Sequence, residues 1–298
     1  SIKELMQSLI KAIKGRSSVR TYKPEPVTDK DKEAIEKLLS TDQVGPFGNK
    51  VRFTLLDLRT MPREEEKMLG TYGVIRGALL FIAGAVKKGD RALEDYGYCL
   101  EKIILFLTNL GFGTCWLGGT YKKTGFAAAI GLGDDELLPA ITPVGYPADK
   151  RRIIERMMRF GAKAGNRKPW EELFFFPGGD AGDEQTKAGN YREALEALRL
   201  APSASNKQPW RIVKDPDDTA GPRFHFFLEP TSGYGKIGEG VSLQDIDIGI
   251  AMSHFEAAAE ETGLSGKWVS AEPAAKAIAG ELEDNLKEAR YIVTWQGR

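Results

Sequence analysis

Three short segments hold most of the residues able to do chemistry. RSSVR (16–20) places two guanidinium groups and two hydroxyls within five residues. Such a cluster suits a phosphate, whose oxygens accept paired guanidinium forks and hydroxyl donors; the candidate ligands are Arg16, Ser17, Ser18 and Arg20. The same residue types also cap helices and fill surface turns. In APSASNKQPW (201–210), Pro202 and Pro209 stiffen a loop carrying Ser203, Ser205, Asn206 and Gln208. Amides and hydroxyls on a rigid loop can read the edge of a planar heterocycle, or equally cap the end of a helix. GFGTCWLGGTY (111–121) sets Gly118 beside Gly119, where a backbone N–H can approach a flat ligand with no side chain intervening. A plain turn is the other reading.

Other chemistries find little support. GYGKIG (233–238) spells a dinucleotide-binding pattern, but no acidic residue ending a second strand follows about twenty residues on. His225 and His254 stand apart from any Cys, Asp or Glu constellation, so a metal site is not expected. Neither a nucleophile elbow nor a Cys–His arrangement is present, and Cys99 and Cys115 make no disulfide framework. With 42 basic and 42 acidic residues, total charge does not point to nucleic acid or an anionic membrane. The basic stretch 150–168 reads as a solvated helix face or an anion site, without the aromatic platform a nucleic acid would need. ALLFIAGAV (78–86) is too short to span a bilayer, and the amphipathic N-terminus lacks a signal peptide's apolar run. A soluble, cytoplasmic protein is expected.

The elements that position these segments occur twice. Residues 95–116 and 247–268 align without a gap, matching Asp95, Gly97, Gly111 and Trp116 to Asp247, Gly249, Gly263 and Trp268. KEAIEKLL (32–39) is answered by REALEALR (192–199), and GNKVRF (48–53) by SNKQPWRI (205–212). Two copies of this length imply a fused dimer, not a solenoid. In the first copy the pattern predicts a helix to about Lys14, a second from the Thr28 cap to about Leu39, strands at 52–58 and 78–85 and a short helix between them. A long central helix at about 90–110 then ends at a left-handed Gly111. In the second copy it predicts helices at 190–200 and about 242–262, with strands at 210–214, 224–228 and 290–295. Connections that do not alternate as strict βαβ units argue for α+β layers.

Taken together, these segments resemble the FMN-dependent nitroreductase family, and within it an internally duplicated, single-chain branch. RSSVRTY resembles its N-terminal R-x-S-x-R/K motif, and APSASNKQPWRIV its A-P-S-x-x-N-x-Q-P-W loop. NLGFGTCWLGG resembles its G-L-G-x-x-W-x-G-G turn, and GNRKPWEELFF (165–175) its R-x-P-x-E-E-L-V segment. The resemblance implies a nitroreductase-like α+β fold with mixed sheets flanked by helices. The two diverged copies would form an intrachain pseudo-dimer: a first half at 1–160, a crossover at 161–189 and a second half at 190–298. It also implies that Arg16, Ser17, Ser18 and Arg20 hold FMN from one half, with Arg167 and Lys168 closing on the phosphate. Gly118 and Gly119 would meet the ring's N5/O4 region, while Pro202, Ser203, Ala204, Ser205 and Asn206 approach from the other half. The phosphate motif survives only in the first copy and the ring-contacting loop only in the second, so one FMN per monomeric chain is expected. The implied activity is NAD(P)H oxidation with reduction of a nitro, quinone or flavin acceptor. Flavin N5 would carry the chemistry, with no side chain as catalyst; a non-catalytic flavin-handling protein is the alternative.

Overall fold

Two long helices cross at the centre, and each carries a glycine where the other's backbone passes. A Cβ on Gly97 would overlap the Ile246 carbonyl, and one on Gly249 the Glu94 carbonyl. Only glycine permits so close an approach. The computed structural model describes residues 8–148, 166–179, 182–234, 240–282, 286 and 288–298.

The first half contains α1 (Leu9–Gly15), α2 (Asp29–Ser40), β1 (Gln43–Val44), β2 (Lys50–Asp57), α3 (Arg63–Glu66) and β3 (Leu80–Lys87). The central helix α4 (Ala92–Asn109) follows, then β4 (Gly113–Thr114), α5 (Lys123–Ala129), β5 (Glu136–Leu137) and β6 (Ile141–Gly145). Local chemistry sets these boundaries. Ser8 and Thr28 cap α1 and α2 by accepting from the Lys11 and Asp31 N–H groups. At the end of α4, Gly111 takes φ 86°, and the Phe112 N–H closes back on the Leu107 carbonyl.

The second half contains α6 (Trp170–Leu173), β7 (Phe174–Phe175), α7 (Glu184–Lys187), α8 (Arg192–Arg199), β8 (Trp210–Lys214) and β9 (Arg223–Leu228). Then come the central helix α9 (Leu243–Glu261), β10 (Gly266–Val269), α10 (Glu272–Gly280) and β11 (Arg290–Gly297). Gly263, with φ 81°, ends α9 as Gly111 ends α4, and the Leu264 N–H closes on the Ala259 carbonyl. Strand β10 and helix α10 were not anticipated from sequence; the strand is four residues long and the helix is opened by Glu272-Pro273.

The two sheets share a topology. The first runs β1-β2-β3-β6-β4, with β5 also on β3, and the second β10-β11-β9-β8-β7. Matched through the repeat, β2-β3-β6-β4 and β8-β9-β11-β10 have the same order, antiparallel throughout. Mixed sheets were expected in both halves, but the parallel ladder among the named strands is β7 on β8. That strand comes from the 161–189 segment expected to be a crossover, so this segment adds an edge to the second sheet. One continuous core unites the halves, with Tyr96, Leu100 and Ile103 of α4 in the same cluster as Ile248, Met252 and Phe255 of α9. Among the described residues no helix is long and apolar enough to cross a membrane.

Candidate functional site

The three segments singled out by chemistry converge on a cleft of about 180 Å³ at the junction of the two halves. From the first half Ser18, Arg20, Trp116 and Gly118 line it; from the second, Pro202, Ser203, Ala204 and Ser205. Leu243, Ile246 and Asp247 of α9 complete the surface. Ser18 is fixed by a bridge to Thr114 of β4. A Cβ on Gly118 would stand 2.7 Å from Leu243 Cδ2, so glycine there lets the first-half turn close against α9. Gly119 is exposed and Ser17 half-buried, and neither lines the cleft. Of the expected ring contacts, Asn206 is also turned to another use, described below.

Arg16 follows directly on α1 and is buried, its N–H donating to the Ala12 carbonyl. Its Nε lies 3.9 Å from Oε1 of Glu101, a carboxylate with no exposed surface. Glu101 also accepts from Trp116 Nε1 at 2.7 Å and pairs with His254 Nε2 at 2.7 Å. Burial pushes the Glu101 carboxyl up, but His254, Arg16 and Trp116 together hold it below its ordinary value. Arg167 sits in the field of Arg16 and Arg199; burial first, then these two cations, push its guanidinium down to about 10. Arg167 thus lies in the field of two other guanidiniums, of which Arg16 is near the buried Glu101 and Arg199 is held at 2.8 Å by both oxygens of Glu196. Lys168 does not join it: its ammonium pairs with Glu172 at 3.2 Å, while its N–H donates to Gln208 Oε1 at 2.7 Å.

The 201–210 loop is held by its own polar groups. Ser203 Oγ accepts from the Gln208 N–H at 2.9 Å. Asn206 Oδ1 accepts from Arg167 Nη1 at 3.0 Å, and its Nδ2 donates to the Asn166 carbonyl at 2.9 Å. Ser205, Asn206 and Gln208 all have φ near 50°, a left-handed backbone that costs non-glycine residues on the order of 1 kcal/mol or more each. Ser203, Asn206 and Gln208 therefore hold the loop to itself and to the 166–168 segment, not to the end of α8 as helix caps, and a strained loop presents Pro202–Ser205 to the cleft.

The repeat gives each loop an aspartate from the facing central helix, and the two are used differently. Asp95 accepts from the Phe47 N–H, the Asn49 N–H and Asn49 Nδ2 at 2.8–2.9 Å. Asp247 accepts through Oδ1 from the Ala204 N–H at 3.0 Å, while its Oδ2 is buried without a partner among the described residues. Burial, opposed by that hydrogen bond and aided by Asp245, pushes the Asp247 carboxyl up to about 8.

Both histidines lie deeper in structure than their isolation in the sequence implied. His225 bridges Thr294 Oγ1 at 2.7 Å and Asp215 Oδ2 at 3.1 Å, and burial holds its pKa below the ordinary value. His254 joins the Ala197 carbonyl to Glu101. Each thus has a carboxylate partner that sequence spacing concealed, yet no cluster suited to a metal occurs among the described residues. The basic stretch lies outside the described residues up to 165, as do 235–238 of GYGKIG. Glu101, Arg199 and Asp247 were missed as site residues. Asp247 had a signal, its match to Asp95; Glu101 and Arg199, single charges within helices, had none.

This fold and this two-sided cleft define a nitroreductase-type architecture. The model of the family described as "Putative TM nitroreductase" matches residues 8–259, and the chain belongs to that nitroreductase family of oxidoreductases. A "Putative NADH dehydrogenase/NAD(P)H nitroreductase" from Archaeoglobus fulgidus is 26% identical over 179 residues, 55% of this chain and 100% of that protein. The crystal structure of a putative nitroreductase from Thermotoga maritima superposes with a TM-score of 0.57 at 21% identity, covering 97% of this chain and 94% of that one. A putative nitroreductase from Desulfovibrio desulfuricans, crystallised in complex with FMN, is 23% identical over 48% of this chain and 87% of its own, with a TM-score of 0.38.

Proposed function

We propose that the chain binds one FMN in the cleft between its halves and acts as an NAD(P)H-dependent oxidoreductase on a small electron-poor acceptor: a nitro compound, a quinone or free flavin. The observation that carries this reading is that Ser18, Arg20 and Gly118 on one side and Pro202–Ser205 on the other line one cleft, with Arg167 bonded to Asn206 at the end of that loop. A phosphate needs the arginines and a flat ring the cleft walls. FMN, when bound, supplies the hydride chemistry, and the protein supplies binding, orientation and electrostatics. Arg16 and Arg167 would neutralise the phosphate, and Glu101 keeps Arg16 in place. Arg20, exposed at the cleft, adds positive charge beside the ring. Pro202–Ser205 form a wall whose shape is set before the ligand arrives, which lowers the ordering cost of binding.

The repeated sheet order, the reciprocal glycine crossing and the paired aspartates support a fused pseudo-dimer that is monomeric in solution, with 161–189 joining its halves. In the first copy the place of the serine loop is taken by Gly45–Asn49, which fully occupies Asp95. Arg91 stacks over Phe47 there at 5.8 Å. This supports one site per chain.

The test is to purify the chain, quantify released flavin, and add NADH or NADPH anaerobically. One FMN per chain that bleaches with either nucleotide is expected; bound flavin that neither reduces would identify a flavin-handling protein instead. Because Arg16 is buried against Glu101, its replacement also disturbs folding, so Arg20→Ala with Arg167→Ala is the cleaner probe. That pair should lower FMN affinity at least tenfold while the fold persists, since each lost charge-assisted hydrogen bond is worth about 1.5–3 kcal/mol. Unchanged affinity would remove the phosphate assignment.

A further inference from the structure

Resting on the flavin reading, we propose that Asp247 is a specificity residue of the cleft, where its Oδ2 carries a proton and donates a hydrogen bond to a lone-pair atom of the bound heterocycle. Four observations lead there. Asp247 lines the cleft. Only 3% of its surface is exposed, so water does not substitute for a protein partner. Its Oδ1 is engaged by the Ala204 N–H, which leaves Oδ2 buried without a partner among the described residues. Its counterpart Asp95, in the same place on the other central helix, receives three N–H donors on its two oxygens. A carboxylate needs donors, and Asp95 has them. A buried carboxyl oxygen with none is better satisfied as O–H, which needs an acceptor. A ring carbonyl or unprotonated ring nitrogen provides one.

The charges around Asp247 favour the neutral form. Asp245 precedes it by two residues on α9 and pairs with Arg290. Glu94, on the facing α4, is paired with Arg91 at 2.9 Å. Arg20 stands at the cleft and Lys207 lies over the Tyr234 ring at 6.0 Å, but neither pairs with Asp247 among the described ion pairs. The 203–206 loop packed on it brings hydroxyls and amides alone. When Asp247 ionises, the cleft exchanges a donor for a negative charge facing a ring lone pair, and the ligand is repelled.

The probe is riboflavin, which lacks the phosphate and its own titration near neutral pH, added to the flavin-free full chain and followed by fluorescence quenching. With Asp247 titrating at about 8, the riboflavin Kd should rise about tenfold between pH 7 and 9. In Asp247→Asn the amide oxygen still accepts from Ala204 and the amide N–H replaces the donor. Its Kd should stay within about threefold of the parent at pH 7 and not change with pH. A measurement on the unaltered chain stands beside this: the infrared carbonyl band of a protonated carboxyl should be present at pH 7 and shift when riboflavin binds. A wild-type Kd that does not change with pH, an equal pH dependence in Asp247→Asn, or a carboxyl band that ignores the ligand overturns the proposal. If neither riboflavin nor FMN binds at any pH, the flavin reading fails and takes this one with it. Intact FMN binding without the pH pattern refutes the role of Asp247 alone.

Discussion

Substituting Gly249 by alanine tests whether the helix crossing sets the site. In an open helix that change gains about 0.8–1 kcal/mol from propensity. At Gly280, where an added Cβ meets nothing within 4 Å, a gain of that sign is expected. At Gly249 the Cβ would overlap the Glu94 carbonyl, with Tyr98 N 2.9 Å away. Both are backbone atoms, so no rotamer change relieves the overlap, and the carbonyl must move away by roughly 1.5–2 Å to restore ordinary contact near 3.5–4 Å. Overpacking of this kind costs about 1–3 kcal/mol or more, which exceeds the propensity gain. With two backbone atoms overlapped, the cost lies at the upper end of that range, and a net loss of about 2 kcal/mol should lower Tm by roughly 2–4 °C per kcal/mol. The Gly97→Ala, Gly249→Ala double variant should lose less than the sum of the singles, because one separation accommodates both methyl groups. Since Asp247 stands two residues before Gly249 and holds the 203–206 loop, flavin affinity should fall with stability. Urea unfolding and flavin titration, run in parallel on both alanine variants and on Gly280→Ala, decide the matter. A Gly249→Ala protein as stable as the parent would refute the packing argument. One that is destabilised but binds flavin normally would refute the link from crossing to cleft.

Glu101→Gln leaves the buried Arg16 without its charged neighbour, and removing one partner of such a network costs about 3–5 kcal/mol; chemical denaturation at pH 7 should show most of that loss. Ser203→Ala removes the acceptor for the Gln208 N–H, and should cost about 1 kcal/mol and weaken flavin binding severalfold by loosening a strained loop. Asp247 also predicts a pH dependence of folding. Its proton is held more tightly folded than unfolded, so its contribution is complete below the unfolded value of 3.8 and is lost as pH rises towards about 8. Relative to Asp247→Asn, the parent chain should become progressively less stable from pH 5 to 8 and level off above; parallel curves would show that Asp247 does not titrate there.

Much of the plan was legible locally. The Thr28 cap, the left-handed Gly111, the central helices and the order of the principal strands follow from capping, backbone and periodicity rules that act over a few residues. The repeat itself could be read from the pairs Asp95 and Asp247, Gly97 and Gly249. RSSVR and APSASNKQPW could be marked as candidates because Arg, Ser and Asn can hold a phosphate or a heterocycle edge, although the same residues also cap helices and fill turns. What lay beyond the sequence was how those side chains divide their labour. Ser203, Asn206 and Gln208 hold the loop and Lys168 turns to Glu172, because each found a nearer partner than the cleft.

The tertiary structure alone decided which charges meet. Arg16, Arg167 and Arg199 are far apart in the chain, and the push of Arg16 and Arg199 on Arg167 exists only once α1, the 166–170 segment and α8 pack together. Glu101 and His254 are 153 residues apart, and one reads as a helix-face charge until burial makes each the other's partner. In sequence Asp95 aligns with Asp247; packing gives Asp95 three donors and leaves Asp247 Oδ2 without a partner among the described residues. Hydrogen-bond reach is a few ångströms, so what a polar group does depends on which elements the fold has placed within that distance.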